Sequence, residues 1–279
     1  MLTDLTKSGL PLYLDEESHV MALSGLLKMK GMGRKKTGDM RGLMMDENDI
    51  DPDEAFYDVY RGICYPDDEQ FLSEHDIQYD ITIIMPGQVN GECKKTSGHY
   101  HGWNPERTHT FGEVYEVIEG TALFVLQRAD NFNEEPEHVK IEDLIFVTVP
   151  AGKTLLVPPD YGHCSVNIGD GPLVFSNVAY TKCPVQYESV RHYHGMAFYV
   201  VKEDGKILLR KNENYRDSIV PEPRFATVTE NPALGIRFNQ GAYLNFRETP
   251  DAFDFLPHPD AYICDIMKLL HFEDHLVQA

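Results

Sequence analysis

Two histidines, His99 and His101, lie two positions apart in the stretch from Thr96 to His101. Alternate side chains of an extended strand point to the same face, so both imidazoles can reach one metal ion. Glu113 and His163 follow later in the chain. Three imidazoles and a carboxylate suit a divalent ion such as iron, manganese, nickel, cobalt or zinc. These ligands on a six-coordinate ion would leave positions for water or substrate oxygens, so we predict a catalytic metal site.

Each of these residues has a less specific interpretation when it is taken alone. A His-x-His pair on a strand is more often two surface or half-buried side chains, and we assign the second such pair, His192 and His194, to that class. A lone His163 would most often be a hydrogen-bonded core residue. Glu116 is an alternative carboxylate, but it falls on the opposite face of the strand that carries Glu113. We therefore prefer Glu113.

The chain around these residues has the pattern of a series of short strands. Apolar and β-branched runs alternate with turns that contain Gly and Pro, which is typical of an all-β barrel or sandwich. Glu119-Gly120 and Glu203–Gly205 have the composition of hairpin turns. The predicted strands span 55–60, 78–84, 113–118, 121–128, 143–149, 154–157, 163–168, 172–180, 196–201 and 206–210.

The two ends of the chain differ from this β-rich region. Residues 16–30 place apolar side chains at helical spacing and predict a helix. The basic, glycine-rich run 31–38 is interpreted as a solvated loop. Prolines become frequent after about residue 220, and 260–271 predicts an amphipathic helix. The predicted units are an N-terminal helical segment (1–34), a barrel with the metal site (35–218) and a C-terminal appendage (219–279) that packs on the barrel or on a partner subunit.

The chain is strongly acidic, with 45 Asp and Glu against 25 Lys and Arg and a formal net charge of -20. A surface of this kind disfavours nucleic acid and anionic membranes as partners. It also opposes the capture of an anionic metabolite, so a phosphorylated substrate would need a metal ion, backbone amides or lysines close to the site. Lys94 and Lys95 lie near the histidines in sequence, although lysines are most often simply solvated.

The sequence also bears on the location of the protein. No run of about 18 apolar residues predicts a transmembrane helix. The first residues lack the basic region and apolar run of a signal peptide. The five cysteines are scattered and contain no Cys-x-x-Cys pair. Reduced thiols and a cytoplasmic location are therefore predicted.

The order of the site motifs resembles the two-part motif of the cupin superfamily. The first part matches Gly98-His99-x-His101 and then Glu113. Six residues lie between Glu113 and Gly120. The second part matches Pro158-Pro159-x-x-x-His163-x-x-x-Asn167. The gap between His101 and Glu113 is enlarged to eleven residues. The resemblance implies an all-β cupin barrel, which is a double-stranded β-helix of the jelly-roll type.

Further matches narrow the resemblance to the cupin-type glucose-6-phosphate isomerases of archaea and some bacteria. With weaker similarity from about Lys35 to about Asn214, the resemblance covers about two thirds of the chain. The additional matching residues are Thr82 with Met85-Pro86-Gly87, Gly91-Glu92, Thr96, Tyr115, Leu126-Gln127 and Asn167-Ile168-Gly169-Asp170.

This resemblance implies a homodimeric enzyme that interconverts glucose 6-phosphate and fructose 6-phosphate, with one divalent metal ion (iron, manganese, nickel or zinc) per subunit. Glu113 and Tyr115 would be its catalytic residues, and Glu113 would move the proton between C1 and C2. The implied metal ligands are His99, His101, Glu113 and His163. The implied substrate contacts are Thr82, Thr96 and Gly98 for the phosphate, and Tyr115 and Tyr180 for the sugar.

Departures from the family leave other functions open. The loop 102–112 is longer, no histidine matches the family near Val185, and the residues from 219 onward are additional. The alternatives are an isomerase of a different sugar phosphate, a cupin dioxygenase and a non-catalytic sugar-binding cupin. A dioxygenase would not need the predicted phosphate contacts, and binding cupins commonly lack some of the metal ligands.

Overall fold

Short strands make up most of the regular structure. The computed structural model of the protein describes residues 1–216 and 220–278, so the predicted boundary at 218/219 lies outside the described residues. The strands are β1 (Leu2–Asp4), β2 (Leu12–Asp15), β3 (Met21–Leu23), β4 (Gly31–Lys36), β5 (Ala55–Arg61), β6 (Ile77–Ile84), β7 (Gln88–Val89), β8 (Glu92–Cys93), β9 (Tyr100–His101), β10 (Glu113–Glu119), β11 (Thr121–Ala129), β12 (Ile141–Pro150), β13 (Thr154–Val157), β14 (Tyr161–Asn167), β15 (Leu173–Tyr180), β16 (Val185–Gln186), β17 (Phe198–Glu203), β18 (Lys206–Lys211), β19 (Arg224–Val228) and β20 (Leu270–Glu273). The α-helices are α1 (Glu69–Glu74), α2 (Glu188–His192), α3 (Ala242–Glu248) and α4 (Ile263–Met267). Short 3-10 turns span Thr6–Ser8, Thr37–Met40, Pro66–Asp68, Glu213–Tyr215, Pro232–Leu234, Pro250–Phe253 and Pro259–Ala261.

Two sheets enclose the main core. The first has the strand order β13-β10-β15-β6-β5-β4, and the second has the order β14-β11-β12-β19-β20. Apolar side chains of both sheets, including Phe124, Phe146 and Phe175, form one buried cluster. Burial of such clusters supplies most of the driving force for folding. The predicted all-β cupin barrel is confirmed.

The turn at Glu119-Gly120 does not close a hairpin, so that prediction is wrong. β10 pairs with β13 and β15, whereas β11 pairs with β12 and β14. The chain therefore crosses between the sheets at Gly120, whose φ is 84° and whose Cβ, if it had one, would lie 3.0 Å from the Pro172 carbonyl oxygen. Only glycine tolerates both conditions. Because β10 is buried on both faces from Glu113 to Ile118, it is a central strand rather than a hairpin arm.

The helix predicted over 16–30 is wrong as well. β1, β2 and β3 form a separate three-stranded sheet, in which β2 and β3 are antiparallel. In the turn between them, Asp15 Oδ1 accepts hydrogen bonds of 2.8 Å from the backbone nitrogen and from the hydroxyl of Ser18. Such side-chain bonds compete with helix formation. Strand pairing also buries Leu14 of β2 and Met21 of β3, which lie opposite each other in the sheet. A helix over 16–30 would not place these two side chains on the same face.

The basic run 31–38 forms the edge strand β4 and not a loop. It pairs antiparallel with β5, and Arg34 makes two hydrogen bonds of 2.7 Å to the buried carboxylate of Asp58. Residues Met32 to Lys36 are nevertheless exposed, as the solvated interpretation expects. Lysine and arginine on an edge strand discourage pairing with a further strand.

A second buried cluster covers the outer face of the first sheet. Ile81 and Val114 of that sheet pack in one cluster with Leu12 of β2 and Phe246 of α3. The N-terminal and C-terminal segments therefore share one apolar layer on the same face of the barrel. This layer fixes the face of β10 that points away from the barrel interior.

The C-terminal segment also extends the second sheet. β19 runs parallel to β12, and β20 pairs antiparallel with β19. The amphipathic helix predicted over 260–271 is wrong in extent, because α4 covers only Ile263–Met267. The residues that follow are taken up by the pairing of Leu270–Glu273 with β19.

Candidate active site

The four predicted metal ligands lie together inside the barrel. The backbones of His99 and His163 bridge two segments, with N–H···O bonds of 3.1 and 2.9 Å in the two directions. His101 ends β9 and Glu113 begins β10. The stretch from Thr96 to His101, which the alternation argument takes as extended, is a regular strand only over its last two residues, because Gly98 has a φ of 76°. One ligand atom from each of the four side chains lies within 4.8 Å of all the others.

The spacing of these ligand atoms fits one metal ion. His99 Nε2 and His101 Nε2 are 3.2 Å apart. Glu113 Oε2 lies 3.3 Å from His101 Nε2 and 3.4 Å from His163 Nε2. Two ligand atoms that bind one ion at right angles, each at its usual bond length, are separated by about 3 Å. The residues can therefore hold a mononuclear divalent ion.

Outer hydrogen bonds orient two of the ligands. His101 Nδ1 lies 2.9 Å from the carbonyl oxygen of Phe111, which can only accept, so Nδ1 carries a proton and Nε2 is the nitrogen that faces the other ligand atoms. The side-chain amide of Asn177 donates to Glu113 Oε1 at 2.7 Å and leaves Oε2 toward the histidines. Such contacts fix the tautomer and the direction of metal ligands.

Burial and charge set the protonation of the ligands. Burial lowers the pKa of His99 well below its ordinary value and also lowers the pKa of His163. Burial alone would raise the pKa of Glu113, but hydrogen bonds and charges from His101 and His163 hold it well below the ordinary range. At neutral pH the carboxylate is ionised and these two imidazoles, His99 and His163, are neutral. Burial opposes the charged form of His101, but its contacts with Cys183 and Glu113 raise the pKa of this imidazole well above its ordinary value. A cation that binds here would therefore displace a proton from His101.

The hydroxyl of Tyr115 borders the ligand atoms. It lies 2.8 Å from Glu113 Oε2 and 2.8 Å from His163 Nε2. Burial and the charge of Glu113 raise the pKa of Tyr115 well above its ordinary value, so the phenol keeps its proton. The phenol has a single proton and donates it to Glu113 Oε2, so this hydroxyl and a metal ion compete for the same carboxylate oxygen.

Glu116 faces away from the ligands, as the strand alternation predicts. Its Oε2 accepts a 2.7 Å hydrogen bond from the backbone nitrogen of Ala242 at the start of α3 and lies 3.4 Å from the Ser176 hydroxyl. Burial raises the pKa of Glu116 from 4.5 to about 7. The second His-x-His pair, His192 and His194, is exposed, in agreement with its assignment to the surface.

The raised pKa of Glu116 predicts a pH-dependent stability. Between pH 4.5 and 7 the unfolded chain loses this proton while the folded chain keeps it, so the stability falls as the pH rises through this window. The full interval corresponds to about 3 kcal/mol. Glu116→Gln, which keeps the acceptor oxygen, should raise the free energy of unfolding at pH 8 and leave it unchanged at pH 4.5. Urea unfolding at both pH values tests this, with the half-exposed Glu119→Gln as control. An equal effect of Glu116→Gln at both pH values would contradict it.

A cavity of about 710 Å³ opens beside the four ligands, a size that suits a small metabolite. The predicted substrate contacts that line it are Thr82, Thr96, Gly98, Tyr115 and Tyr180. Thr82 is buried on β6. The hydroxyl of Thr96 accepts a 3.0 Å hydrogen bond from the backbone nitrogen of Ser165. Tyr180 packs against Phe111, with ring centroids 5.3 Å apart.

Several cavity residues were not predicted from the sequence. They are Lys35, Arg41, Arg61, Asp80, Asn177, Tyr187 and Arg191. The alternation along β5 puts Tyr57, Val59 and Arg61 on one face, so that pattern could have identified Arg61. Tyr187 and Arg191 lie at α2, and no local pattern indicates that this helix borders the cavity.

Lys94 and Lys95 are not solvated, so that interpretation is wrong. Both are buried. Lys94 Nζ lies 2.6 Å from Glu54 Oε1 and 3.1 Å from the carbonyl oxygen of Ala55, and Lys95 pairs with the buried Glu92. A buried lysine needs such partners. Because carboxylates already compensate both charges, these lysines do not offset the acidic field at the cavity.

The long loop 102–112 is held at several points. His109 Nδ1 lies 2.7 Å from Asp160 Oδ2, and the Asn104 amide donates to Asp260 Oδ2 at 2.7 Å. The loop ends at Phe111, whose carbonyl orients His101. The lengthened loop and the additional C-terminal segment therefore contact each other and support a metal ligand.

None of the helices in the part of the chain that the structure describes is long and apolar enough to span a membrane. The helix α2, which contributes Arg191 to the cavity lining, has only five residues.

Solved structures with partial likeness include two oxalate-processing proteins. An oxalate decarboxylase from Bacillus subtilis, solved at pH 4.6, is 24% identical, with 45% of this chain and 25% of that chain covered and a TM-score of 0.29. A recombinant oxalate oxidase in complex with glycolate is 13% identical, with 53% and 49% covered and a TM-score of 0.28. Because both TM-scores are low, the fold class is assigned from the strand order described above and not from these structures.

Comparisons of sequence are more extensive. A glucose-6-phosphate isomerase of Thermococcus litoralis is 26% identical over 198 residues, which cover 69% of this chain and 92% of that protein. One from Thermococcus kodakarensis is 25% identical over 211 residues, which cover 74% and 97%. A putative glucose-6-phosphate isomerase 1 of Rhizobium meliloti is 26% identical over 179 residues, which cover 63% and 74%. The family model for glucose-6-phosphate isomerase matches residues 34–217, which include all four ligand residues and more than half of the chain. The chain belongs to the glucose-6-phosphate isomerase family.

Proposed function

We propose that this chain interconverts glucose 6-phosphate and fructose 6-phosphate at a metal centre formed by His99, His101, Glu113 and His163. The proposal rests on one observation: the four ligand atoms lie within 4.8 Å of one another, beside a cavity that fits a sugar phosphate. A divalent ion held there, whether iron, manganese, nickel or zinc, would supply Lewis-acid polarisation of substrate oxygens. The other parts of the chemistry belong to side chains of the chain itself.

Glu113 and Tyr115 are the catalytic pair in this proposal. Aldose–ketose isomerisation requires a base that takes a proton from the carbon next to the carbonyl. The ionised Glu113 can accept that proton at C2 and return it at C1, while Asn177 holds its other oxygen. Tyr115 keeps its phenolic proton and can donate a hydrogen bond to a developing enediolate oxygen, which stabilises the charge that forms in the transition state.

The remaining predicted residues bind the substrate. The hydroxyls of Thr82 and Thr96 and the amide of Gly98 are donors suited to phosphate oxygens. Tyr180 lies across the cavity on β15 and would pack against the sugar carbons. Homodimerisation and a cytoplasmic location accompany this function as predictions from the family resemblance.

A panel of substrates tests this function against its alternatives. We expect turnover of fructose 6-phosphate, with at least a hundredfold lower kcat/KM for unphosphorylated fructose, because loss of a charged hydrogen-bonded group costs about 3 kcal/mol. Substrate-dependent oxygen consumption would instead identify a dioxygenase. Preference for another aldose or ketose phosphate would keep the chemistry and change the substrate. Stoichiometric sugar binding without turnover would overturn the proposal.

A further inference from the structure

Four cationic side chains surround the opening of the cavity: Lys35, Arg41, Arg61 and Arg191. They come from β4, from the residue after the Thr37–Met40 turn, from β5 and from α2. All four line the cavity and are exposed, which places them at its solvent-facing rim. Separate parts of the fold thus bring positive charge to one place on an acidic protein.

Strand register explains why two of these side chains, Lys35 and Arg61, face the cavity. Lys35 lies opposite Tyr57 in the β4–β5 pair, and directly opposed residues share a face. Tyr57 lines the cavity and its hydroxyl lies 3.2 Å from the Ser97 hydroxyl, between Thr96 and Gly98. Arg61 follows Tyr57 by four residues and therefore falls on the same face.

The neighbours of Lys35 on the same strand behave differently. Arg34 pairs with Asp58, and Lys36 Nζ lies 2.7 Å from Asp53 Oδ1. Among the ion pairs found in residues 1–216 and 220–278, Lys35, Arg41 and Arg191 have no carboxylate partner. Arg191 instead lies 5.3 Å from the ring centroid of Tyr187. β4 thus brings its unpaired cation to the cavity, while its two paired cations lie outside the cavity lining.

Arg61 has only a loose carboxylate contact. Its Nη1 lies 3.5 Å from Asp80 Oδ2. The two oxygens of Asp80 already accept hydrogen bonds from Gly62 N at 2.7 Å and from Gln78 Nε2 at 3.1 Å. Asp80 therefore holds the Arg61 guanidinium at the rim, while most N–H groups of this guanidinium stay free to bind another anion.

The overall charge balance gives this arrangement its physical significance. The chain has 45 acidic against 25 basic residues, so carboxylates are in excess and exposed cations find partners readily. The cations at this opening outnumber the exposed carboxylate of Asp39, which also lines the cavity, so they raise the local potential and offset the repulsion that a net charge of -20 exerts on an anion. Arginine and lysine are also the side chains that bind phosphate most strongly.

We propose that Lys35, Arg41, Arg61 and Arg191 form a cation collar that captures the phosphate group of the substrate and holds it at the Thr96–Gly98 end of the cavity. This inference rests on the proposed function and adds specificity residues to it. The collar replaces Lys94 and Lys95 as the local source of positive charge, because those two lysines are neutralised within the protein.

Inorganic phosphate is the probe that tests the collar independently of turnover. Calorimetric titration of the metal-loaded protein should give a Kd that rises about tenfold in Lys35→Ala, Arg41→Ala, Arg61→Ala and Arg191→Ala, because each removes a charged hydrogen-bond donor. Lys36→Ala is the matched control, since it removes the same charge one residue away, outside the cavity lining. Its Kd should change by less than about twofold. Equal phosphate binding in all variants, or equal weakening in Lys36→Ala, would overturn the proposal.

Steady-state kinetics separate failure of the collar from failure of the proposed function. In the collar variants, KM for fructose 6-phosphate should rise about tenfold and more than kcat falls. Loss of phosphate affinity in these variants together with no isomerase activity in the unchanged protein would support the collar and refute the isomerase. If the protein is an active isomerase but the phosphate Kd and the KM are unchanged in the collar variants, the collar alone is refuted.

Discussion

His163→Ala is expected to abolish both metal binding and turnover. The His163 side chain is buried, and its Nε2 lies 3.4 Å from Glu113 Oε2. Alanine removes one of the four ligands and leaves the other three with an incomplete donor set. Changes to residues that merely support metal ligands cost about 10- to 100-fold, so loss of a ligand should lower kcat/KM by at least about 100-fold. Elemental analysis of the purified variant should show well under one ion per chain.

The control for this variant is His192→Ala. That histidine belongs to the exposed second His-x-His pair and lies outside the four-residue cluster. It should keep its metal content and its kcat/KM. Circular dichroism of both variants checks that the barrel still forms. A His163→Ala protein with a full metal content, or with wild-type turnover, would contradict the assigned ligand set.

Tyr115→Phe is expected to separate metal binding from catalysis. The substitution removes only the hydroxyl that lies 2.8 Å from Glu113 Oε2 and 2.8 Å from His163 Nε2. The ligand atoms stay in place and Glu113 Oε2 loses a competing hydrogen bond, so metal content should be unchanged. Loss of a proton donor in the transition state should lower kcat by about 100-fold. KM should change little.

A matched change elsewhere in the barrel controls for the loss of a buried phenol hydroxyl. Tyr161 is buried on β14, the strand that carries His163, but its hydroxyl donates to Asp143 at 2.5 Å. Tyr161→Phe should therefore leave kcat unchanged. If Tyr115→Phe keeps full turnover, the hydroxyl has no catalytic role. If it loses the metal, Tyr115 supports the centre and does not act on the substrate.

The grouping of the four candidate ligands was predictable from local patterns and from the order of the motifs. Two-residue alternation puts His99 and His101 on one face, and the same rule separates Glu113 from Glu116. The order of the motifs then adds His163. The interior strands were predictable for the same reason, since most are buried runs with Gly or Pro at or near one end.

Features that depend on distant partners were not predictable in this way. The spacing of apolar residues over 16–30 suits a helix, but the Asp15–Ser18 turn and pairing within the N-terminal sheet prevail. Lys94 is buried only because Glu54, forty residues away, supplies its counter-charge. Gly120 has the composition of a hairpin turn, and only the pairing of β10 with β15 shows that the chain changes sheets there.

The cation collar shows the same limit at the active site. Lys35 and Lys36 are adjacent and identical in type, yet one lines the cavity and the other pairs with Asp53. The strand register that distinguishes them depends on pairing with β5, which is set by long-range contacts. Arg191 reaches the rim only through the placement of α2.

The most direct test of the metal centre combines elemental analysis with turnover of fructose 6-phosphate in one preparation. Both are measured in the purified protein, after removal of the metal by a chelator, and after addition of iron, manganese, nickel or zinc. We predict about one divalent ion per chain, loss of turnover on stripping, and recovery with at least one of these ions. Full isomerase turnover in a preparation shown to be free of metal would contradict the catalytic role of the His99, His101, Glu113 and His163 site.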